Sequence, residues 1–175
     1  MTTITTWFLE MTAPDQLRPA RAVDGFTVRA LPAPDPALSR RLYDRVGAPW
    51  QWTDRLGWGL ARWGAHLGQP GVETHVGYLE GEAVGYAELV RAGGDVEIAS
   101  FGLVPGMAGR GLGGALLATV TQAAWDAGAE RVWLHTCTLD SPAALPNYLA
   151  RGFEPYETES YQAVVRDDQP DTPND

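Results

Sequence analysis

The sequence predicts an α+β domain with a single crossover, and three observations carry that expectation. Residues 74–103 hold three strand-like apolar runs separated only by short, glycine-bearing turns, the pattern of a consecutive antiparallel meander. A glycine-rich stretch, Val104-Pro-Gly-Met-Ala-Gly-Arg-Gly-Leu-Gly-Gly-Ala-Leu-Leu117, then leads from the last of those strands into an apolar, helix-like run. A buried-looking strand, Arg131 to Cys137, follows that helix, so the chain crosses once around a central strand.

Taken in order, Ile4 to Met11 is expected as an additional edge strand, and Phe26 to Leu31 as a strand after a stretch dotted with Pro14 and Pro19. Pro32, Pro34 and Pro36 break the chain. Leu38, Leu42 and Val46 then recur at helical spacing, with Pro36 suited to the first turn. A second helix is expected over Thr53 to Leu67, with Thr53 as its N-cap. Thr74 to Leu79 and Ala83 to Val90 are joined by Glu80-Gly-Glu82, and Gly93-Gly94 turns into Asp95 to Leu103. In the long helix Leu112, Leu116, Val120 and Ala123/Ala124 share a face, and Gly128 marks its stop. A short helix leads to Tyr148, and a last strand is expected over Ser160 to Val165. No internal repeat or linker interrupts this order, so residues 1–166 read as one domain and 167–175 as an acidic tail of disordered composition.

Composition narrows the function classes. At 175 residues with 45% apolar content and seven tryptophans, the chain can bury a genuine core. No run of about 18 apolar residues is present, so no membrane span is expected. The opening MTTITTWFLEM lacks the basic and apolar regions of a signal peptide, and the expectation is a cytoplasmic protein. The single cysteine, Cys137, forms no internal disulfide, and no cysteine–histidine set has metal-ligand spacing, so no metal is expected. The formal net charge is −9 and all 13 basic residues are arginines without a basic stripe, which argues against a nucleic-acid partner.

The glycine stretch carries the chemistry. Glycines at 109, 111, 113 and 114 leave little side-chain bulk where a strand meets a helix, so backbone amides can close around a phosphate where the helix dipole also favours negative charge. Gly109-x-Gly111-x-x-Gly114 matches the dinucleotide fingerprint. That reading wants a parallel βαβ unit and an acid about 20 residues on for the ribose. The strand before the loop instead ends an antiparallel meander, and the first acid after the following strand is Asp140, too far along. A dinucleotide-binding oxidoreductase is therefore the lesser alternative.

From Leu103 onward the sequence resembles the coenzyme A-binding motif of the GNAT N-acetyltransferase superfamily. The apolar-x-Pro step is Leu103-Val104-Pro105, and the loop that opens the helix is Ala108-Gly109-Arg110-Gly111-Leu112-Gly113. The family's tyrosine four residues before Gly-Phe appears as Tyr148-Leu-Ala-Arg-Gly152-Phe153. The chain departs from the pattern at Ala108, where the family has Arg or Gln; Arg110 lies nearby, on the solvent side of the loop by its spacing. The resemblance implies a mixed, mostly antiparallel sheet flanked by helices, with a coenzyme A cleft between splayed central strands. It implies acetyl-CoA as co-substrate, bound by backbone groups around Phe101, Leu103 and Val104, by the loop residues 108–113, and by Ser141 or Asn147 together with Tyr148.

Acetyl transfer from a thioester needs a neutral amine, donors for the oxyanion and a proton for the leaving thiolate. The resemblance implies Tyr148 as the general acid, and an unperturbed phenol is protonated at neutral pH. Glu97, a carboxylate among apolar neighbours on a strand where family members place a glutamate, is the candidate general base; Glu88 on the neighbouring strand is the second choice. His135 lies on a strand that reads as buried, hence as a core histidine. Cys137 lacks an activated partner, so direct attack without a covalent acyl-enzyme is expected. Trp50 and Trp52 beside Asp54, with Trp58 and Trp63, read either as a wall holding an organic cation or as helix-packing residues. The expected function is N-acetylation of a primary amine on a small-molecule or peptide acceptor, and the resemblance implies a homodimer as one assembly. A non-catalytic acyl-CoA-binding regulator is the main alternative.

Overall fold

The computed structural model describes residues 1–164. Seven strands, β1 (Thr2–Met11), β2 (Phe26–Ala30), β3 (Val72–Leu79), β4 (Glu82–Ala92), β5 (Asp95–Leu103), β6 (Arg131–Cys137) and β7 (Glu154–Ala163), form one sheet in the order β2-β3-β4-β5-β6-β1-β7. The helices are α1 (Pro36–Gly47), α2 (Leu60–Leu67), α3 (Leu112–Asp126) and α4 (Ala144–Ala150). All pairings are antiparallel except that of β5 with β6, the pair that flanks the α3 crossover.

Local chemistry accounts for most of these boundaries. Asp35 accepts a hydrogen bond from the Leu38 amide at 3.0 Å, and Pro36 starts α1 where its missing N–H is of no consequence. Glu80 and Gly81 both have positive φ (49° and 82°), as a two-residue type I′ hairpin turn requires. Gly128, at φ 85°, ends α3: its amide bonds the Trp125 carbonyl and the Ala129 amide bonds that of Ala124, a Schellman pair.

The sheet separates two cores. On one face α3 covers Leu9, Leu89, Ile98, Val132 and Leu134, with Phe153 beside them. On the other, Leu42, Tyr43 and Val46 of α1 and Trp63 and Leu67 of α2 cover Val76, Val84 and Tyr86.

Three expectations need correction. The first strand is interior: it pairs with β6 through Thr6–Met11 and with β7 through Thr2–Glu10, filling the gap between two strands that never meet. The second helix begins at Leu60 after the uncapped Gly59, not at Thr53, because Gly57 and Gly59 weaken helix there and the side chain of Arg55 is anchored on β4. The last strand begins at Glu154, six residues earlier than expected. Val165 and the acidic tail, 167–175, lie outside the described residues.

Candidate functional site

The cleft follows from strand register. β5 and β6 pair in parallel over only three positions, Asp95↔Arg131, Val96↔Val132 and Glu97↔Trp133. Beyond them β5 carries a bulge: Leu89 faces Ile98 but Glu88 faces Ser100, which leaves Ala99 as the extra residue. A bulge bends its strand and sharpens the twist. The two strands part at that point, and among the described residues no strand pairs with the facing edges of Ile98–Leu103 and Leu134–Cys137. Gly102 serves a close approach, not the bulge: a Cβ there would stand 2.4 Å from Val46 Cγ1 of α1.

The open end of β5 runs into the glycine loop. Gly106, Gly109 and Gly111 all have positive φ (87°, 79° and 78°), which a residue with a Cβ adopts only with strain. Gly111 is the N-cap of α3 and supplies no side-chain cap. The amides from Ala108 to Gly114 have no backbone partner among the described residues, so a row of N–H groups at a helix start is left to bind an anion. A Cβ at Gly109 would meet nothing within 4 Å, whereas those of Gly113 and Gly114 would lie at van der Waals distance from the Asn147 amide. Arg110 is exposed and directs Nη1 back to Met107 Sδ at 3.6 Å, as expected for the solvent side of the loop. These features fit a pyrophosphate at the loop and an extended arm along the parted strands.

The other expected cofactor residues divide. The Val104 amide is already bonded to the Val84 carbonyl at 2.8 Å and its side chain is buried, so this residue anchors the loop. Leu112 is likewise buried as the first core residue of α3. Phe101 and Leu103 are half-buried on the cleft strand, and Ser141 Oγ accepts from the Ala143 amide at 3.3 Å.

Tyr148 and Glu97 flank the parted strands from opposite faces. Tyr148, buried on α4, packs edge-on against Phe101 (5.9 Å) and Phe153 (6.3 Å) under the α3 face. Burial first, then the negative charge of Asp140, pushes its phenol pKa well above the usual value, so the proton stays on. Glu97 shares a face with Trp133 and is half-buried without an ion-pair partner among the described residues. Burial raises its carboxyl above the ordinary range, more than nearby His135 lowers it. Cys137 is half-buried, with its thiol pKa pushed up chiefly by burial, as expected of a cysteine with no nucleophilic role.

Glu88, the second choice as base, is fully buried and committed. Its oxygens accept from Arg55 Nη1 (2.8 Å) and Nη2 (2.9 Å), and Oε1 lies 2.8 Å from His66 Nε2. Burial raises its pKa, but the Arg55 and His66 contacts outweigh that and hold it below the ordinary range. The tryptophan-rich segment is therefore filled from within: the Arg55 guanidinium lies 5.1 Å from the Trp58 ring, 5.3 Å from Trp63 and 5.7 Å from Tyr43. Trp52 packs on Tyr43 at 5.3 Å, while Asp54 is exposed. Sequence reasoning missed Arg55 and His66, because their partner is brought close only by the α1–α2 connection folding back onto β4.

It also missed Asp140, which accepts from Thr136 Oγ1 (2.6 Å) and the Cys137 amide (3.1 Å) and reaches Trp52 Nε1 at 3.5 Å. His135 was misread: β6 buries Val132, Leu134 and Thr136 on the α3 side, and His135 projects exposed from the other face. Strand alternation carries that information once the phase is known.

The sequence profile of the acetyltransferase (GNAT) family matches residues 37–153, most of the chain. The chain belongs to the GNAT acetyltransferase family. Among solved structures, a GCN5-related N-acetyltransferase from Sphaerobacter thermophilus superposes with a TM-score of 0.72 at 18% identity, covering 90% of this chain and 50% of that one. One from Kribbella flavida gives 0.63 at 22% identity, covering 89% and 56%. An aminoglycoside acetyltransferase from an uncultured soil metagenomic sample, solved with sisomicin, gives 0.62 at 16% identity, covering 73% and 88%. This GNAT chain thus spans about half the length of the first two. No curated protein matches it. The GNAT architecture includes β5–α3–β6 as a true parallel βαβ unit, but its parallel pairing lasts only three residue pairs before the strands part. Among the described residues no His, Cys, Asp and Glu cluster could hold a metal ion, and no helix is long and apolar enough to cross a membrane.

Proposed function

We propose that this GNAT domain transfers the acetyl group of acetyl-CoA to a primary amine by direct attack. One observation carries the reading: the unpartnered amide row at the start of α3 lies at the open end of two strands that part at a bulge. The loop suits a pyrophosphate and the parted strands suit an extended pantetheine arm, whose amides can pair with the free edge of β5. The absence of a basic side chain at Ala108 is tolerable where backbone amides supply the positive ends.

Glu97 and Tyr148 divide the proton work. The acceptor ammonium meets Glu97, whose carboxylate burial makes more basic than an ordinary one, and the freed amine attacks the thioester carbonyl. As the C–N bond forms and the C–S bond breaks, the departing sulfur takes the phenolic proton of Tyr148, and the proton that the nitrogen sheds on becoming an amide returns the phenolate to its neutral form, the form that burial favours. Placing base and acid on opposite faces of the parted strands lets amine and thiolate occupy separate sides of the reacting carbon.

Calorimetric titration with acetyl-CoA, with NADH as the control ligand, tests the reading. Micromolar acetyl-CoA binding, no NADH binding, and loss of acetyl-CoA binding in Gly111→Asp are the expected results. Absent acetyl-CoA binding in the wild-type chain would overturn it, and binding without transfer to any amine would favour an acyl-CoA-binding regulator instead.

A further inference from the structure

The sheet face that carries Glu97 is only half covered by helices. α1 and α2 pack over β3, β4 and β5, whereas His135 and Tyr156 are exposed on β6 and β7 and Trp133 and Phe8 are half-buried on β6 and β1. These four rings form a continuous row: Trp133 stacks with His135 at 6.5 Å, His135 meets Phe8 at 5.6 Å, and Phe8 meets Tyr156 at 6.3 Å. Register joins the row to the reaction centre, because Trp133 is the parallel partner of Glu97 at the last paired position before the strands part.

Charge on this face is unevenly satisfied. Arg131, lying over the Trp133 ring at 5.6 Å and the Tyr156 ring at 5.1 Å, is ion-paired to both Glu10 and Asp95. Glu88 is taken by Arg55 and His66. Glu97 is left as a carboxylate at the cleft in no ion pair among the described residues, with His135 the nearest basic group acting on it. Glu154 and Glu157 of β7, in register with Glu10 and Phe8, stand three strands from β5 and so roughly 14 Å away, and Asp140 beyond β6 is engaged by Thr136, the Cys137 amide and Trp52.

We infer that the acceptor of this domain is an arylalkylamine, a single ammonium on a flat aromatic body, with the ammonium at Glu97 and the aromatic body against Trp133, His135 and Phe8. This inference rests on the acetyl-transfer reading above and adds to it the acceptor class and the surface that selects it. A short diamine with one ammonium at Glu97 lays its second charge along an apolar ring row, beside which the carboxylates of Glu10 and Asp95 are already paired with Arg131. A sugar amine finds few hydrogen-bond partners on that row. An aromatic body gains both the buried apolar area and ring–ring contact.

The test uses the full chain with tryptamine, hexylamine and 1,5-diaminopentane as acceptors, alongside calorimetric binding of tryptamine with and without coenzyme A. The expected kcat/KM for tryptamine is about tenfold or more above the other two, the size of one good aromatic contact. Trp133→Ala, and the milder surface change His135→Ala, should collapse that preference while the Kd for acetyl-CoA stays within twofold. Equal rates across the three amines, a preference for the diamine, or an unchanged preference in both variants would overturn the inference. So would a dimer, seen by sedimentation, that Trp133→Ala dissociates, since a second copy would then cover the row. If acetyl-CoA does not bind, the acetyl-transfer reading falls. Tryptamine binding that Trp133→Ala abolishes would still uphold the surface, and its absence would overturn that too.

Discussion

Replacing Arg55 with alanine removes a two-point guanidinium partner from a carboxylate whose side chain is 1% exposed. Glu88 then keeps His66 alone, and the three rings around Arg55 lose the cation they enclose. Breaking one side of a buried ion pair costs about 3–5 kcal/mol; because the Arg55 side chain is itself 15% exposed and water can enter behind it, about 3 kcal/mol is the better figure. For a domain of this size that corresponds to a fall in Tm of roughly 6–12 °C. Urea unfolding followed by the fluorescence of the seven tryptophans measures it directly. The pH dependence has a definite sign. Glu88 has a folded-state pKa held below its ordinary value, so its contribution is present above the unfolded-state pKa and lost as pH falls through the folded one. The gap between wild type and Arg55→Ala should therefore be widest near neutrality and narrow below about pH 4.5. A gap under about 1 kcal/mol at pH 7, or one that does not change with pH, would refute the assignment of Arg55 as the counter-charge. Replacing Arg55 and Glu88 together by methionine should restore most of the loss, since an apolar pair leaves no buried charge behind.

Tyr148→Phe should lower kcat by about 10²-fold or more while the acetyl-CoA Kd stays within twofold, as steady-state rates and calorimetry would read. Glu97→Gln should cost a similar factor and abolish the acid limb of the kcat/KM profile. In the wild type that limb, where the base form is lost as pH falls, should lie above the ordinary carboxylate value of 4.5. Gly102→Ala places a methyl group against Val46 and should destabilise by about 1–3 kcal/mol; adding Val46→Ala should recover part of that loss, measured as non-additivity in a double-mutant cycle.

Local chemistry explains what could be read from the chain. The meander, the loop and α3 follow from turn glycines, apolar runs and a helix start set close together in sequence, and these lie where expected. The placement of β1 was not legible, because nothing in Thr2–Met11 distinguishes an edge strand from one flanked on both sides; the decision rests with β6 and β7. His135 was misjudged for want of the strand's phase, since alternation gives two faces without saying which is covered. Arg55 was hidden for a related reason. Its segment carries the tryptophans expected of a cation-binding wall, and only the folded-back loop reveals that the enclosed cation belongs to the chain itself.

The position of β1 also bears on how the molecule is made. Thr5 bonds Thr138 across 133 residues and Ser160 across 155, so the first of these seven strands to be made is among the last to find its neighbours. Until β6 is made it has no ladder to join, while the β2–β5 meander can close as it emerges. Such long-range closure is slow and leaves a β-prone segment unpaired in the interim. The threonines of MTTITTWFLEM, which add little to the core, would keep that waiting strand soluble in the nascent chain until β6 arrives to receive it.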